Sequence, residues 1–396
     1  MSSIRTIDKL PLTSGSRVFY RVDYNVPLEG SKITDATRIE ETLPTLNFLR
    51  DHGAAVVIAS HLGRPKGQRN EKYSLKPVRD RLAQLIRSDV QWADDCVGPA
   101  AEAKAQALKA GQVLLLENLR FHAEEEKNDK TFAQGLRKLG DLYVNDAFGA
   151  SHRAHASIDA LPRLFPKKNT AAGLLLAKEI EFLQKITNIS DRPFVALLGG
   201  AKIAGKIEPL EALVKHADVV LIGGGMANTF LAAQNINMGD SLIDNESIEV
   251  ARRILAGGGR AQIILPTDVV VADNLDSPSK VEVIDVAKGL TEPQKALDIG
   301  PKTTARFCAE LKNAKTIFWN GPMGVFEKEA FAKGTMAMAR AVAEARAITI
   351  VGGGESVEAV KASGFAGRIS HISTGGGASL EFISGAALPG VEVLKA

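Results

Sequence analysis

Runs rich in Val, Ile and Leu alternate with helix-period segments along the chain, and this alternation predicts parallel sheets covered by helices on both faces. VFYRVDYNVP (18–27), VVIASHLGRP (56–65), VLLLENLRF (113–121) and YVNDAFGASHRAHAS (143–157) read as such strands with their following turns. FVALLGGAK (194–202), VVLIGGGM (219–226), IFWNGPMG (317–324) and AITIVGGGES (347–356) do so in the second half. Between them, residues 34–46 open on a cap-competent Thr34 or Asp35 and place Ile39, Leu43 and Leu46 on one face, which predicts a helix with Arg38 in its first turn. A basic residue there opposes the helix dipole, so Arg38 is either a solvated surface side chain or one that serves a ligand. Residues 171–186 read as one helix with no breaker after Gly173, near the middle of the chain, and are the expected connector. Turn residues in S190-D-R-P193 then restart strand chemistry. No repeat of roughly 20 to 50 residues is visible.

The two halves end their apolar runs differently. In the first, the strands deliver Arg21, Asp23, Asn25, His61, Arg64, Arg120 and Arg153; in the second, they deliver bare glycine backbone. Arginine forks select oxyanions by bidentate geometry, whereas glycines let main-chain N–H groups approach a polyphosphate. Two anionic ligands, one per half, is the simplest reading. G200-A-K-I-A-G205-K206 matches the spacing of a P-loop, but Ile207 stands where that motif needs Ser or Thr for magnesium. Lys202 and Lys206 are four apart; if a helix begins here, both project from one face of its first turn and repel unless an anion lies between them.

Composition narrows the classes. The 396 residues are long enough for two or three domains, and 45% hydrophobic content supplies a core for each. Lys plus Arg total 49 against 46 Asp plus Glu, so a net charge of +3 gives no global attraction to nucleic acid or an anionic membrane. Cys96 and Cys308 show no ligand spacing and read as free thiols of a reducing cytosol. MSSIRTIDKL lacks an apolar signal core, and no stretch reaches the ~18 apolar residues of a membrane span. The expected location is cytoplasmic.

The blocks RVDYNVP, HLGRPKG, ENLRFHAEEEKND, NDAFGASHRAHAS, GGAKIAGK, GGGMANTFL, NGPMGVFE and STGGGASLEF, in this order, resemble the phosphoglycerate kinase family from end to end. The resemblance implies two doubly wound, Rossmann-like α/β lobes with parallel sheets, joined by a helix and hinge. Residues 1–170 would form the phosphoglycerate lobe with 378–396 returning to it, 171–186 the connecting helix, and 187–377 the nucleotide lobe. It also implies reversible transfer of the acyl phosphate of 1,3-bisphosphoglycerate to MgADP, giving 3-phosphoglycerate and MgATP, in a protein that is usually a monomer.

Carried over by position, Asp23 and Asn25 would hold the hydroxyl and carboxyl end of the substrate, His61, Arg64, Arg120 and Arg153 its stationary phosphate, and Arg38 belongs to the same site. Lys206 would meet the nucleotide phosphates, Gly200, Gly223 and Gly224 would line the adenine slot, and Glu327 would accept from the ribose. Asn320 and the turn of Gly352, Gly353, Gly354, Glu355 and Ser356 would hold the phosphate chain. Each of these glycines alone also fits a strand-to-helix turn that needs positive φ. Arg38 and Lys202 are the residues expected to neutralise the migrating phosphoryl group, with Mg²⁺ brought by the nucleotide. The acceptor is a carboxylate already ionised at neutral pH, or an ADP phosphate, so no general base is expected. If each lobe holds one substrate, closure is needed, with 171–186 and Thr374–Gly377 as hinge material. Two positions depart from the family pattern. Glu355 stands where Asp is usual near magnesium, and Gly205 where an acidic residue is common.

Overall fold

The computed structural model describes residues 4–187 and 189–395. It separates into two compact units. One takes the described residues up to Glu181 and from Ala387 onward; the other runs Phe182–Ala386. Residues 1–3, 188 and 396 of the expected division lie outside the described residues.

The first unit contains β1 (Arg17–Arg21), the hairpin β2 (Leu28–Glu29) and β3 (Lys32–Ile33), β4 (Ala55–Ala59), β5 (Val90–Ala93), β6 (Val113–Leu116), β7 (Leu142–Asn145) and β8 (Thr170–Ala172). Its six-stranded sheet has the order β5-β6-β4-β1-β7-β8, with every pairing parallel. The chain enters at β1, builds outward through β4, and later returns to β1's other side with β7. β4 and β6 are buried at every position because helices cover both faces, which is why they read as unbroken apolar runs. Val18 and Tyr20 join the core on one face of β1, while Phe19 stacks on Tyr143 on the other, ring centroids 6.2 Å apart.

Two helical expectations need correction. Residues 34–46 form a short helix Thr37–Glu40, a turn, and a second helix Leu43–Asp51. Pro44 has no N–H to give the Glu40 carbonyl, so the ladder breaks there. Asp35 still accepts from the Thr37 amide at 2.8 Å. The connecting helix is Leu174–Thr187 and does not begin at Ala171. Ala171 and Ala172 instead pair with Val144 and Asn145 of β7, an open sheet edge that local periodicity cannot see. Thr45 and Asp146 accept from the amides of Leu174 and Leu176, both at 2.9 Å, and so fix the helix start.

The second unit contains β9 (Phe194–Leu198), β10 (Val219–Ile222), β11 (Gln262–Ile264), β12 (Asp268–Ala272), β13 (Val281–Asp285), β14 (Lys295–Ile299), β15 (Thr316–Asn320), β16 (Ile348–Gly352) and β17 (His371–Ile372). A parallel sheet runs β11-β10-β9-β15-β16-β17, so this unit too is doubly wound, starting from β9. The antiparallel sheet β13-β12-β14 is an addition that the parallel pattern did not predict. Trp319, Phe307 and Met338 fill the core beside the main sheet. No helix among the described residues is long and apolar enough to cross a membrane.

Candidate functional site

In open α/β sheets the ligand crevice lies beyond the carboxyl ends of the strands, where the strand order reverses. In the first unit that place is between β4, β1 and β7, and Asp23, His61 and Arg153 all follow these strands. Asp23 sits at the centre. Its Oδ2 accepts from Arg38 at 2.6 Å, its Oδ1 lies 3.8 Å from His61 Nε2, and the Asn25 amide donates to it at 3.1 Å. Burial works to raise its pKa, yet Arg38, His61 and the Asn25 N–H together hold it below the usual carboxylate range. Asn25 Oδ1 accepts from the Gly63 amide at 2.8 Å, and Arg120 donates to the Gly63 carbonyl at 2.9 Å. Asp23, Asn25, Arg38, His61 and Arg120 are thus one connected set. Arg64 is exposed on the turn after β4, and Arg153 is exposed with its Nε donating to His152 at 3.1 Å.

Behind this set lies a network of which the sequence reading named only Arg21, without a role. Arg21, fully buried, donates through Nε to Ser157 Oγ at 2.8 Å and through Nη2 to His61 Nδ1 at 3.3 Å. Ser157 in turn gives its hydroxyl and amide to Glu125, at 2.5 and 2.9 Å. A guanidinium only donates, so Nδ1 of His61 is the acceptor and the ring proton resides on Nε2. Burial, followed by Arg120, Arg21 and Arg38 against the opposing Asp23, pushes the His61 pKa well below its ordinary value. His155 is pushed down to about 3 by burial and then by Arg120, Arg21 and Arg153. Arg120 Nε is buried with no hydrogen-bond partner among the described residues, and its nearest carboxylate, Glu126, is 3.5 Å away. Two neutral imidazoles amid buried guanidiniums, one with an orphan donor, form a cup that favours an anion.

The second unit offers a cleft of about 510 Å³, within the range of small-molecule sites. Gly200, Gly224, Glu327 and Glu355 line it, along with Ala201, Asp298 and Pro322. The loops after β9 and β15 are zipped by the amides of Gly199 and Gly200 donating to the carbonyls of Asn320 and Pro322, both at 2.9 Å. Only glycine fits at 321, where φ is +98° and a Cβ would lie 2.2 Å from the Gly199 oxygen. Gly224 similarly has φ +63° and backs onto the Pro322 carbonyl. Among the six predicted glycines, Gly200, Gly224 and Gly353 have positive φ, whereas Gly223, Gly352 and Gly354 do not.

Gly223 is turned to the interior, where a Cβ would meet Met323 Sδ at 2.5 Å. Asn320 is buried against Gly353 at the end of β15. Gly353 precedes the helix Gly354–Ala362, whose first-turn N–H groups, including those of Glu355 and Ser356, have no intrahelical acceptor. The Ser356 hydroxyl faces inward and accepts from the Gly321 amide.

The lysine geometry differs from expectation. The helix after β9 begins at Ile207, so Lys206 occupies the position before its first turn and Lys202 stands on the exposed preceding loop; the two do not share a helical face. The loop from Gly199 to Lys206 is irregular because its hydrogen bonds go to β15's loop and to Asp244, which accepts from the Ala204 amide at 3.0 Å. Lys206 Nζ reaches back to the Gly199 carbonyl at 3.3 Å. Burial lowers its pKa, and Glu355 opposes that shift.

The family model described as phosphoglycerate kinase matches residues 7–386. The chain belongs to the phosphoglycerate kinase family. It is 52% identical over 391 residues to the phosphoglycerate kinase of Moorella thermoacetica, covering 98% of each chain, and 51% identical to that of Koribacter versatilis over 96% of each. The solved phosphoglycerate kinase of Coxiella burnetii superposes with a TM-score of 0.88 at 38% identity, covering 99% of both chains. For the Pyrococcus horikoshii structure the TM-score is also 0.88, at 34% identity over 99% of this chain and 98% of that one. Arg21 had a sequence signal, as a charge directly after the buried run Val18–Tyr20 of β1. Glu125 had none, since it reads as one of three solvated glutamates.

Proposed function

We infer that this phosphoglycerate kinase family member catalyses reversible transfer of the acyl phosphate of 1,3-bisphosphoglycerate to ADP, giving 3-phosphoglycerate and ATP. One observation carries the assignment of sites: each unit has its own anion-competent crevice at a topological switch point, one lined by arginines and the other by glycine backbone. The first holds the phosphoglycerate through Asp23, Asn25, Arg38, His61, Arg64, Arg120 and Arg153. Arg21, Ser157 and Glu125 position His61 so that Nε2–H faces the substrate as a donor. The second holds the nucleotide. Gly200 and Gly224 let its base approach the backbone, Glu327 meets the ribose, and Lys206 with the first turn of Gly354–Ala362 meets the phosphates.

Magnesium brought with the nucleotide would supply charge neutralisation at the phosphates. Glu355 fits a role toward it: its carboxylate and the Lys206 ammonium flank the same open side of Gly200, 3.9 and 3.3 Å from where a Cβ would be. Catalysis is then positioning plus charge, with Arg38 and Lys202 neutralising the migrating group and no side chain taking a proton. Reacting atoms must approach to ~3 to 3.5 Å, so we place a closing motion of the two units in the cycle. The same reading makes the protein a cytoplasmic monomer acting on small molecules, without nucleic acid or membrane. A coupled assay with 3-phosphoglycerate and MgATP tests it. ADP formation only when both substrates are present is expected; ATP hydrolysis alone would indicate a P-loop NTPase, and 3-phosphoglycerate binding without turnover a binding protein.

A further inference from the structure

Away from both crevices, two segments of the first unit bring together three different metal-competent side chains. Asp95 and Cys96 lie in the bends between β5 and the helix Pro99–Ala107, and His122 immediately precedes the helix Ala123–Glu126. One ligand atom from each lies within 4.8 Å of the other two. We propose that Asp95, Cys96 and His122 form a binding site for a borderline-soft divalent cation of the zinc class, with one water completing a tetrahedron.

The donor set decides the class of cation. A thiolate, an imidazole and a carboxylate suit zinc, whereas magnesium demands an octahedron of oxygens and does not compete. Metal–ligand bonds of about 2.0 to 2.3 Å in a tetrahedron separate the ligand atoms by roughly 3.3 to 3.6 Å. His122 Nε2 and Asp95 Oδ1, now hydrogen-bonded at 2.7 Å, would open slightly, and the sulfur would close by up to about 1.3 Å. The bends at 94–98 carry no ladder hydrogen bonds that resist such movement. Outer contacts already hold the ligands. The Cys96 amide donates to Asp95 Oδ1 at 2.6 Å, and the His122 ring packs on Phe132 with centroids 5.2 Å apart. Cys96 is buried while Asp95 is exposed and His122 half-buried, so the cation arrives from solvent with the sulfur at the floor of the site. On binding, the sulfur–hydrogen bond is exchanged for a sulfur–metal bond and the proton leaves to water.

Cobalt is the probe. The full-length protein, stripped with chelator and kept in excess magnesium, is titrated with Co²⁺ and read by absorption. One equivalent should produce a thiolate-to-cobalt charge-transfer band with intense visible bands, bleached by added Zn²⁺, and zinc should raise the melting temperature. Cys96→Ser should remove the charge-transfer band, and Cys96→Ser and His122→Asn should each weaken zinc binding about tenfold or more. Absence of the band at saturation in the unaltered protein would overturn the proposal and leave a His122–Asp95 ion pair only. Unchanged affinity in either variant would overturn it equally.

Discussion

Removing Arg38 tests the charge we propose it brings to the migrating group against its ground-state contact. In the structure its guanidinium is tied to Asp23 at 2.6 Å, and the pair is only partly shielded, with 32% and 12% of the two side chains exposed. That ion pair by itself is worth little, on the order of 1 kcal/mol or less at such exposure. A group that meets charge only as it develops is worth more: losing one such donor costs about 10² to 10³ in rate, or ~3 to 4 kcal/mol. Arg38→Ala is therefore expected to lower kcat by at least about 10² while ADP affinity, set in the other unit, stays within a factor of about two. Arg38→Lys keeps a charge but loses the planar fork, and should fall between. The assay is steady-state turnover in both directions with ADP binding measured separately by calorimetry. A kcat unchanged in Arg38→Ala, or a fall matched by equal loss of ADP affinity, would refute the assignment. A second readout is independent of turnover. Arg38 is one of the charges holding the His61 pKa down, so NMR titration should show that pKa rising in the variant.

Four further outcomes are expected. Ser157→Ala breaks the link from Glu125 to Arg21 and leaves buried charges short of partners; a loss of about 1 to 3 kcal/mol in urea melts and a raised KM for 3-phosphoglycerate should follow, and unaltered values of both would dismiss the network's role. Asp298 accepts from the amides of Gly334 and Ile299, yet burial lifts its pKa from 3.8 to about 7. A raised folded pKa contributes stability that is complete below the unfolded value and lost as pH climbs through 7, so Asp298→Asn should gain on the wild type between about pH 4 and 7, by up to ~4 kcal/mol. A difference independent of pH in denaturant melts would contradict that assignment. Glu355→Asp should shift the magnesium dependence of turnover while retaining kcat, and superimposable titration curves would show that the extra methylene is without effect. Small-angle scattering should show a smaller radius of gyration with both substrates than with neither; equal values would remove closure from the mechanism.

Much of the site was legible because strands announce themselves as apolar runs, and a doubly wound sheet presents its ligands at their carboxyl ends. Asp23, His61 and Arg120 were readable for that reason, before any contact was known. What failed depended on partners distant in sequence. Ala171 and Ala172 have helical neighbours and no strand propensity of their own, yet β7 captures them. Lys202 and Lys206 sit at helical spacing, but the carbonyls of Asn320 and Pro322 hold the preceding loop and delay the helix to Ile207. Glu125 is a carboxylate whose sequence surroundings look solvated, and only burial reveals it. Pro44 was a miss with a local signal, since the broken ladder follows from its missing N–H.

The last stretch of chain has a bearing on synthesis. The Leu394 carbonyl accepts from the Arg5 amide, the Gly390 amide donates to the Ser151 carbonyl, and the Gly390 carbonyl accepts from the side-chain amide of Asn145. The loop that carries Arg153 is thus propped by residues that follow the whole of the second unit in the chain. Because the second unit, Phe182–Ala386, precedes that segment, the first unit can receive its closing piece only after the second has been synthesised.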